Sequence, residues 1–378
     1  MTYRLLILLV VSFISLFSYA ETDEAFLQHL QKGDSVYLEK ARKEGNRLAS
    51  LFLSYTSSNK VVSLDCDKNN NFYFKYYCFY LNYSSNYKNN DYYEAKRYLE
   101  MMLNHLNTNS DFSALKQPVV EKINILNILN KVTETPVLRS GTLKLENFKK
   151  ELTINHKNIV FTLDTGSEFN SLSIDENSEF GGAINVTSVQ GGTKGFDYII
   201  RKSDTSDTNH LFIVSPNYNL LGRSYFKNYN ILLFGNGKNN TLTVPLRDDG
   251  QNIYFIGELS IGDNKFSGIN YCLDTGSIKT FVAPKMYLKL RNNLLSVGVS
   301  TFSIDSFTGN QSALGKVIPK FKLTFGSQPY ILKNVPAYFR SKRVDICDVV
   351  LGQDFLKKTL VSIDFKNNQI IFSHESDL

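Results

Sequence analysis

Ile159-Val160-Phe161-Thr162-Leu163-Asp164-Thr165-Gly166-Ser167 decides how this chain is read, because its last five residues return as Leu273-Asp274-Thr275-Gly276-Ser277. Each copy follows an apolar, strand-like run and ends in a bend-forming Gly and a small hydroxyl residue. A chain with one such Asp in each half can bring two carboxylates face to face. Carboxylates at contact cannot both ionise comfortably, so such a pair shares one proton.

The surroundings of the two copies repeat as well. Glu151-Leu152-Thr153-Ile154 and Glu258-Leu259-Ser260-Ile261 precede them, each followed by a turn, at residues 155–158 and 262–264. Downstream, Asn219-Leu220-Leu221-Gly222-Arg223-Ser224-Tyr225-Phe226 corresponds to Val349-Val350-Leu351-Gly352-Gln353-Asp354-Phe355-Leu356. An apolar strand, an Asn-rich turn and a last strand then close each unit. Three anchors in the same order make an internal repeat. Gly222 and Gly352 would let backbone approach backbone beside the Asp loop, and Ser224 and Asp354 stand where a helix N-cap belongs. The middles differ: Gly181, Gly182, Gly191, Gly192 and Gly195 punctuate the first, and Gly309 and Gly315 the longer second. Glycines at hairpin tips suit a flap that closes over an extended chain.

Before residue 135 the grammar is helical. Apolar residues recur every three to four positions through residues 25–41, 48–55, 91–106 and 119–132. Gly33-Asp34 interrupts the first run, Asp34 or Ser35 is placed to cap a second helix, and Pro118 to start another. Four or five short antiparallel helices are expected. The aromatic-rich stretch 72–83 reads as a packed helix rather than a ligand platform. Thr135-Pro136 marks the change to short strands and Gly/Asn turns. The expected divisions are residues 21–135, 139–245 and 250–373.

The first twenty residues read as a leader: Arg4 is a positive n-region, residues 5–17 an apolar h-region, and Ser18-Tyr19-Ala20 a small-residue cleavage site. That run is short for a bilayer, which takes about 20 residues. No later stretch is long and apolar enough to span. The expected product is exported, periplasmic or secreted. The net charge is +6 without a dense basic patch, which gives nucleic-acid binding no support. The abundance of Phe and Tyr (27 and 22, against no Trp) reads as coding bias. Of four cysteines, Cys66 and Cys78 are placed to pair locally. Cys272 and Cys347 stay open between a second bridge and two buried thiols. No metal-ligand spacing occurs. His156 and His210 look like surface-loop residues, and no cofactor is expected.

The Asp-Thr-Gly-Ser loops, the Gly-bearing flaps and the Leu-Gly anchors resemble the retropepsin-like aspartic proteases, in two copies joined as in pepsin-like enzymes. The resemblance covers residues 139–373. It implies a mainly β fold of two acid-protease β-barrel lobes related by a pseudo-two-fold, behind an all-α N-terminal domain. It implies an aspartic-type endopeptidase acting on protein or peptide as a monomer, with Asp164 and Asp274 activating a water. Thr165 and Thr275 would lock the loops across the axis. Gly166 and Gly276 would keep backbone N–H groups near the carboxylates, and Ser167 and Ser277 would donate to their outer oxygens. Gly191, Gly192, Phe196, Tyr198, Leu221, Gly309 and Val350 would meet substrate, Tyr198 being the candidate for the flap Tyr of pepsin-like enzymes. Glu168 would pair with Arg223, a partnership that the second unit lacks, having Ile278 and Gln353. The alternative reading is a catalytically silent peptide-binding or envelope scaffold protein on the same fold. The helical region has two readings, a removable propeptide or a permanent domain that recruits a partner, and its regular patterning favours the second.

Overall fold

A computed structural model describes residues 24–57, 63–68, 70–132, 141–173, 181–187, 193–202, 209–215, 218–226, 228–234, 239–306, 309–325, 328–339 and 346–374. The leader, the Thr135-Pro136 boundary and Gly191-Gly192 lie outside the described residues.

Among the described residues, six helices come first: α1 (Glu24–Gln31), α2 (Ser35–Lys43), α3 (Arg47–Ser57), α4 (Phe72–Lys88), α5 (Tyr92–Asn107) and α6 (Ser113–Val132). They exceed the expected four or five because Gly33 and Gly45, both at positive φ, end α1 and α2 early. Asp34, Asn71 and Asp91 cap α2, α4 and α5 by accepting the N–H groups of Tyr37, Phe74 and Glu94. Pro118 does not start α6. It lies inside a helix that begins at Ser113, where it removes one backbone donor.

The first repeat unit holds β1 (Thr142–Lys144), β2 (Lys149–Ile154), β3 (Lys157–Leu163), β4 (Asn170–Leu172), β5 (Gly182–Thr187), β6 (Thr193–Lys202), β7 (Asn209–Val214), β8 (Leu220–Leu221), α7 (Arg223–Phe226), β9 (Ile231–Phe234) and β10 (Asn239–Pro245). Strand β11 (Arg247–Asp248) leads into the second unit. That unit holds β12 (Ile253–Ile261), β13 (Asn264–Leu273), β14 (Phe281–Val282), α8 (Pro284–Leu290), β15 (Val299–Ser306), β16 (Gly309–Phe325), β17 (Gln328–Tyr338), β18 (Val349–Leu351), α9 (Gln353–Leu356), β19 (Thr359–Asp364) and β20 (Gln369–His374).

The strands form a seven-stranded sheet, β2-β3-β8-β4-β7-β6-β5, and an eight-stranded one, β11-β12-β13-β18-β14-β17-β16-β15. In the latter β12 also pairs with β16. Among the described residues, β2 and β5 end one sheet, and β11 and β15 end the other. A five-stranded sheet, β1-β9-β19-β20-β10, takes strands from both units.

The expectation of a mainly β chain with two closed barrels is corrected: the architecture is mixed α/β, and neither large sheet closes over its full set of strands. The helices are also no appendage. One buried cluster runs from Leu38, Phe52, Phe74 and Leu99 into Phe169, Phe196 and Ile213 of the first unit and Cys272 and Val350 of the second. Polar groups cross the same boundary. Tyr55 donates its hydroxyl to the Asp249 carbonyl at 2.8 Å. The buried Lys88 Nζ donates to the Tyr55 and Asp248 carbonyls at 2.7 and 3.1 Å. Asn270 Nδ2 donates to the Gly33 carbonyl at 2.9 Å.

Disulfides join Cys66 to Cys78 and Cys272 to Cys347. The second ties β13 to the entry of β18, two strands that run parallel side by side. His156 is exposed in the β2–β3 turn, but His210 is not on a surface loop. It lies buried on β7 beside Tyr225, and burial pushes its pKa down to about 4.

Candidate functional site: paired aspartates at the unit interface

The same local construction delivers each Asp. Strand β3 runs parallel to β8, with Leu163 opposite Leu221, and β13 runs parallel to β18, with Leu273 opposite Leu351. The Asp164 N–H donates to the Leu221 carbonyl and the Asp274 N–H to the Leu351 carbonyl, both at 3.0 Å. In each unit a short strand returns antiparallel to the Leu strand, Ser171 facing Leu220 and Val282 facing Val349. The loop therefore bends tightly around the start of α7 or α9. A Cβ on Gly222 would lie 2.3 Å from the Phe169 carbonyl oxygen, and one on Gly352 would lie 2.5 Å from the Lys279 carbonyl carbon. Only glycine fits these crossings.

Equivalent loops then interlock. Thr165 Oγ1 donates to the Leu273 carbonyl at 2.8 Å and accepts the Thr275 N–H at 3.0 Å. Thr275 Oγ1 donates to the Leu163 carbonyl at 2.6 Å and accepts the Thr165 N–H at 3.1 Å. Both threonines are fully buried. The four bonds hold Asp164 and Asp274 side by side. Gly166 donates its N–H to Asp164 Oδ1, and Gly276 donates its own to Asp274 Oδ1. A Cβ on Gly276 would stand 2.4 Å from the Asp164 carboxyl carbon, and one on Gly166 would stand 2.8 Å from that of Asp274. Burial, then the Asp274 carboxylate beside it, push the Asp164 carboxyl up to about 8. The pair therefore holds one proton near neutrality. It offers an acid and a base on two sides of one point, able to hold a water or to hydrogen-bond a carbonyl and its partner donor together.

The other expected site residues are arranged differently. Ser167 and Ser277 turn away from the carboxylates and donate to the Phe169 and Lys279 carbonyls at 2.9 and 2.8 Å. Leu221, Val350 and Phe196 are buried, Leu221 in the core shared by the two units and the other two in the core that includes the helices. Tyr198 packs over Gly181 and Gly182, where a Cβ would meet its ring. Gly309 opens β16 and pairs with Ser306 across the β15–β16 hairpin end.

Glu168 and Arg223 do not pair with each other. Arg223 Nη2 meets Asp248 Oδ1 at 2.6 Å, both side chains being buried. Glu168 Oε1 accepts the Tyr87 hydroxyl of α4 at 2.5 Å. Gln353, in place of Arg223, donates to the Thr275 carbonyl at 2.7 Å. The sequence reading missed Tyr87 and Asp248. Neither lies near its partner along the chain, and neither sits in a repeated motif. Tyr87→Phe should destabilise docking of α4 on the Asp164 loop by about 1–2 kcal/mol, since it strips a hydrogen bond from a half-buried carboxylate. Hydrogen exchange on α4 checks this; unchanged protection would count against the contact.

No protein-family model matches the chain. No curated protein matches it either. Among solved structures it is similar to Basic 7S globulin from soybean, at 9% identity, over 61% of this chain and 93% of that one, with a TM-score of 0.38. That likeness is weak and partial. The expectation of an aspartic-type endopeptidase is corrected: neither the family models nor the curated proteins supply a hydrolase or a retropepsin-like or pepsin-like identity. No helix among the described residues is long and apolar enough to cross a membrane.

Proposed function

We propose that the chain is a polypeptide-binding scaffold that holds an extended segment of another protein across the Asp164–Asp274 pair without cleaving it. The observation that carries this reading is the interlocked loop pair. Four buried hydrogen bonds hold a carboxyl and a carboxylate together, while Gly166 and Gly276 beside them are exposed. A peptide carbonyl accepts from the acid and a peptide N–H or hydroxyl donates to the carboxylate. The strands β5 and β15, which end their sheets among the described residues, would add strand-type hydrogen bonds. The helical region acts as a permanent part of the scaffold, since its core is continuous with both units.

The test is a library of extended peptides offered to residues 21–378, with binding read by fluorescence anisotropy and the peptides recovered for mass spectrometry at pH 5 and 7.5. Peptides should come back intact. Affinity should fall about tenfold, or about 1.4 kcal/mol, in Asp164→Asn/Asp274→Asn. Cleavage by the parent that is lost in that variant would replace this reading with a hydrolytic one, and absence of peptide binding would remove it.

A further inference from the structure

The aromatic stretch at the start of α4 lines a cavity. Tyr76, Tyr77 and Tyr80 lie on one helical face and are half-buried. With Phe52 and Tyr55 of α3 they wall a space of about 290 Å³, whose opposite side is the turn at residues 249–252 between the two units. The rings cross one another. Tyr76 and Tyr77 stand at 88° with centroids 5.2 Å apart, and Phe52 and Tyr55 at 80° with centroids 5.6 Å apart. Ring faces and edges therefore meet the cavity from several directions.

Its charge is one-sided. Among the described residues that line it, Asp249 is the one ionisable group besides the phenols. Its carboxylate is held by neutral donors: the Gln251 and Asn252 N–H groups on Oδ1, and Asn252 Nδ2 on Oδ2 at 3.0 Å. These bonds fix its position with neutral donors. Of the described cations nearby, Lys88 Nζ lies 5.8 Å from the Tyr55 ring centroid, Lys122 acts on Tyr76 and Tyr80, and Arg247 Nη1 donates to the Thr56 hydroxyl at 3.4 Å. Lys88 Nζ donates to the Tyr55 and Asp248 carbonyls, Lys122 is drawn to Tyr83, and Arg223 pairs with Asp248. Burial raises the Asp249 pKa.

We propose that this cavity binds a small organic cation, an alkylammonium or quaternary ammonium group held between the tyrosine rings and Asp249. Electron-rich ring faces and a fixed carboxylate attract such a cation together, and neither attracts its neutral isostere comparably. The volume suits a head group rather than a drug-sized molecule. Because α1, α3, α4, the inter-unit turn and Ile346 all border the cavity, an occupant touches the helices and the second unit at once.

Choline and its neutral isostere 3,3-dimethyl-1-butanol separate charge from shape. Ligand-observed NMR on residues 21–378 should show choline binding and the alcohol at least about tenfold weaker. Tyr77→Phe, which keeps the ring, should bind choline like the parent. Tyr77→Leu and Asp249→Asn should each lose about tenfold or more. Thermal unfolding checks that each variant is folded, and the half-buried Tyr77 keeps the test decisive should Asp249→Asn disturb its turn. No choline binding up to tens of millimolar, equal binding of the alcohol, or an unaffected Tyr77→Leu overturns the proposal.

Discussion

Asp164→Asn should flatten the pH dependence of stability between about pH 4 and pH 8, and should leave the variant more stable than the parent at the upper end. The Asp164 carboxyl is held at about 8, against 3.8 for an ordinary one, by burial and by Asp274. The folded chain therefore keeps a proton that the unfolded chain releases. That contribution is fully present below the unfolded pKa and is lost as the pH rises through the folded one. Each unit of displacement is worth about 1.4 kcal/mol, so the parent should lose on the order of several kcal/mol across the window. Asparagine cannot ionise, so the variant has no second charge to oppose Asp274. It keeps an acceptor for the Gly166 N–H, which Asp164 Oδ1 now accepts at 3.0 Å. Urea midpoints at pH 4.5, 6 and 8 measure the effect. Parallel profiles for parent and variant would show that the two carboxyls do not share a proton.

What the sequence made legible follows from repetition. The Asp loops and the Leu-Gly anchors fall on equivalent parallel strand pairs, β3 with β8 and β13 with β18, because identical local patterns impose identical turns. The threonine lock follows too, since a motif at a pseudo-two-fold meets its own copy. What stayed hidden depends on segments that do not repeat. Glu168 looked like the partner of Arg223, but Tyr87 reaches Glu168 from a helix and Asp248 reaches Arg223 from the inter-unit strand. Nothing in the spacing of residues 164–226 encodes either approach. Leu221, Val350 and Phe196, read as cleft residues, lie buried: Phe196 and Val350 join the core that includes the helices, and Leu221 the core shared by the two units. The closed barrels failed because strand patterning does not specify which edges pair.

Arg223→Met should destabilise the chain by about 3–5 kcal/mol, because it leaves the carboxylate of Asp248 buried without its cation. Arg223 is 4% exposed and Asp248 1%. Asp248 Oδ1 also accepts the Gly250 N–H at 2.9 Å, which anchors the turn into the second unit, and its carbonyl accepts from Lys88 of α4. The pair therefore ties the Leu-Gly anchor of the first unit to the inter-unit strand and to the helices. Asp248→Leu alone should cost a similar amount by stranding the guanidinium. The double variant Arg223→Met/Asp248→Leu should recover much of either loss, since a buried ion pair replaced by apolar groups of similar volume is often neutral. A cycle of urea midpoints over the four chains gives the coupling; additive losses would mean that the two residues act separately. The second unit shows why the pair belongs to the first alone. Gln353 satisfies itself on the Thr275 carbonyl, and Ile278 stands 70% exposed where Glu168 meets Tyr87. Equivalent Asp loops thus rest on different supports, and the charged support lies on the side where α4 docks.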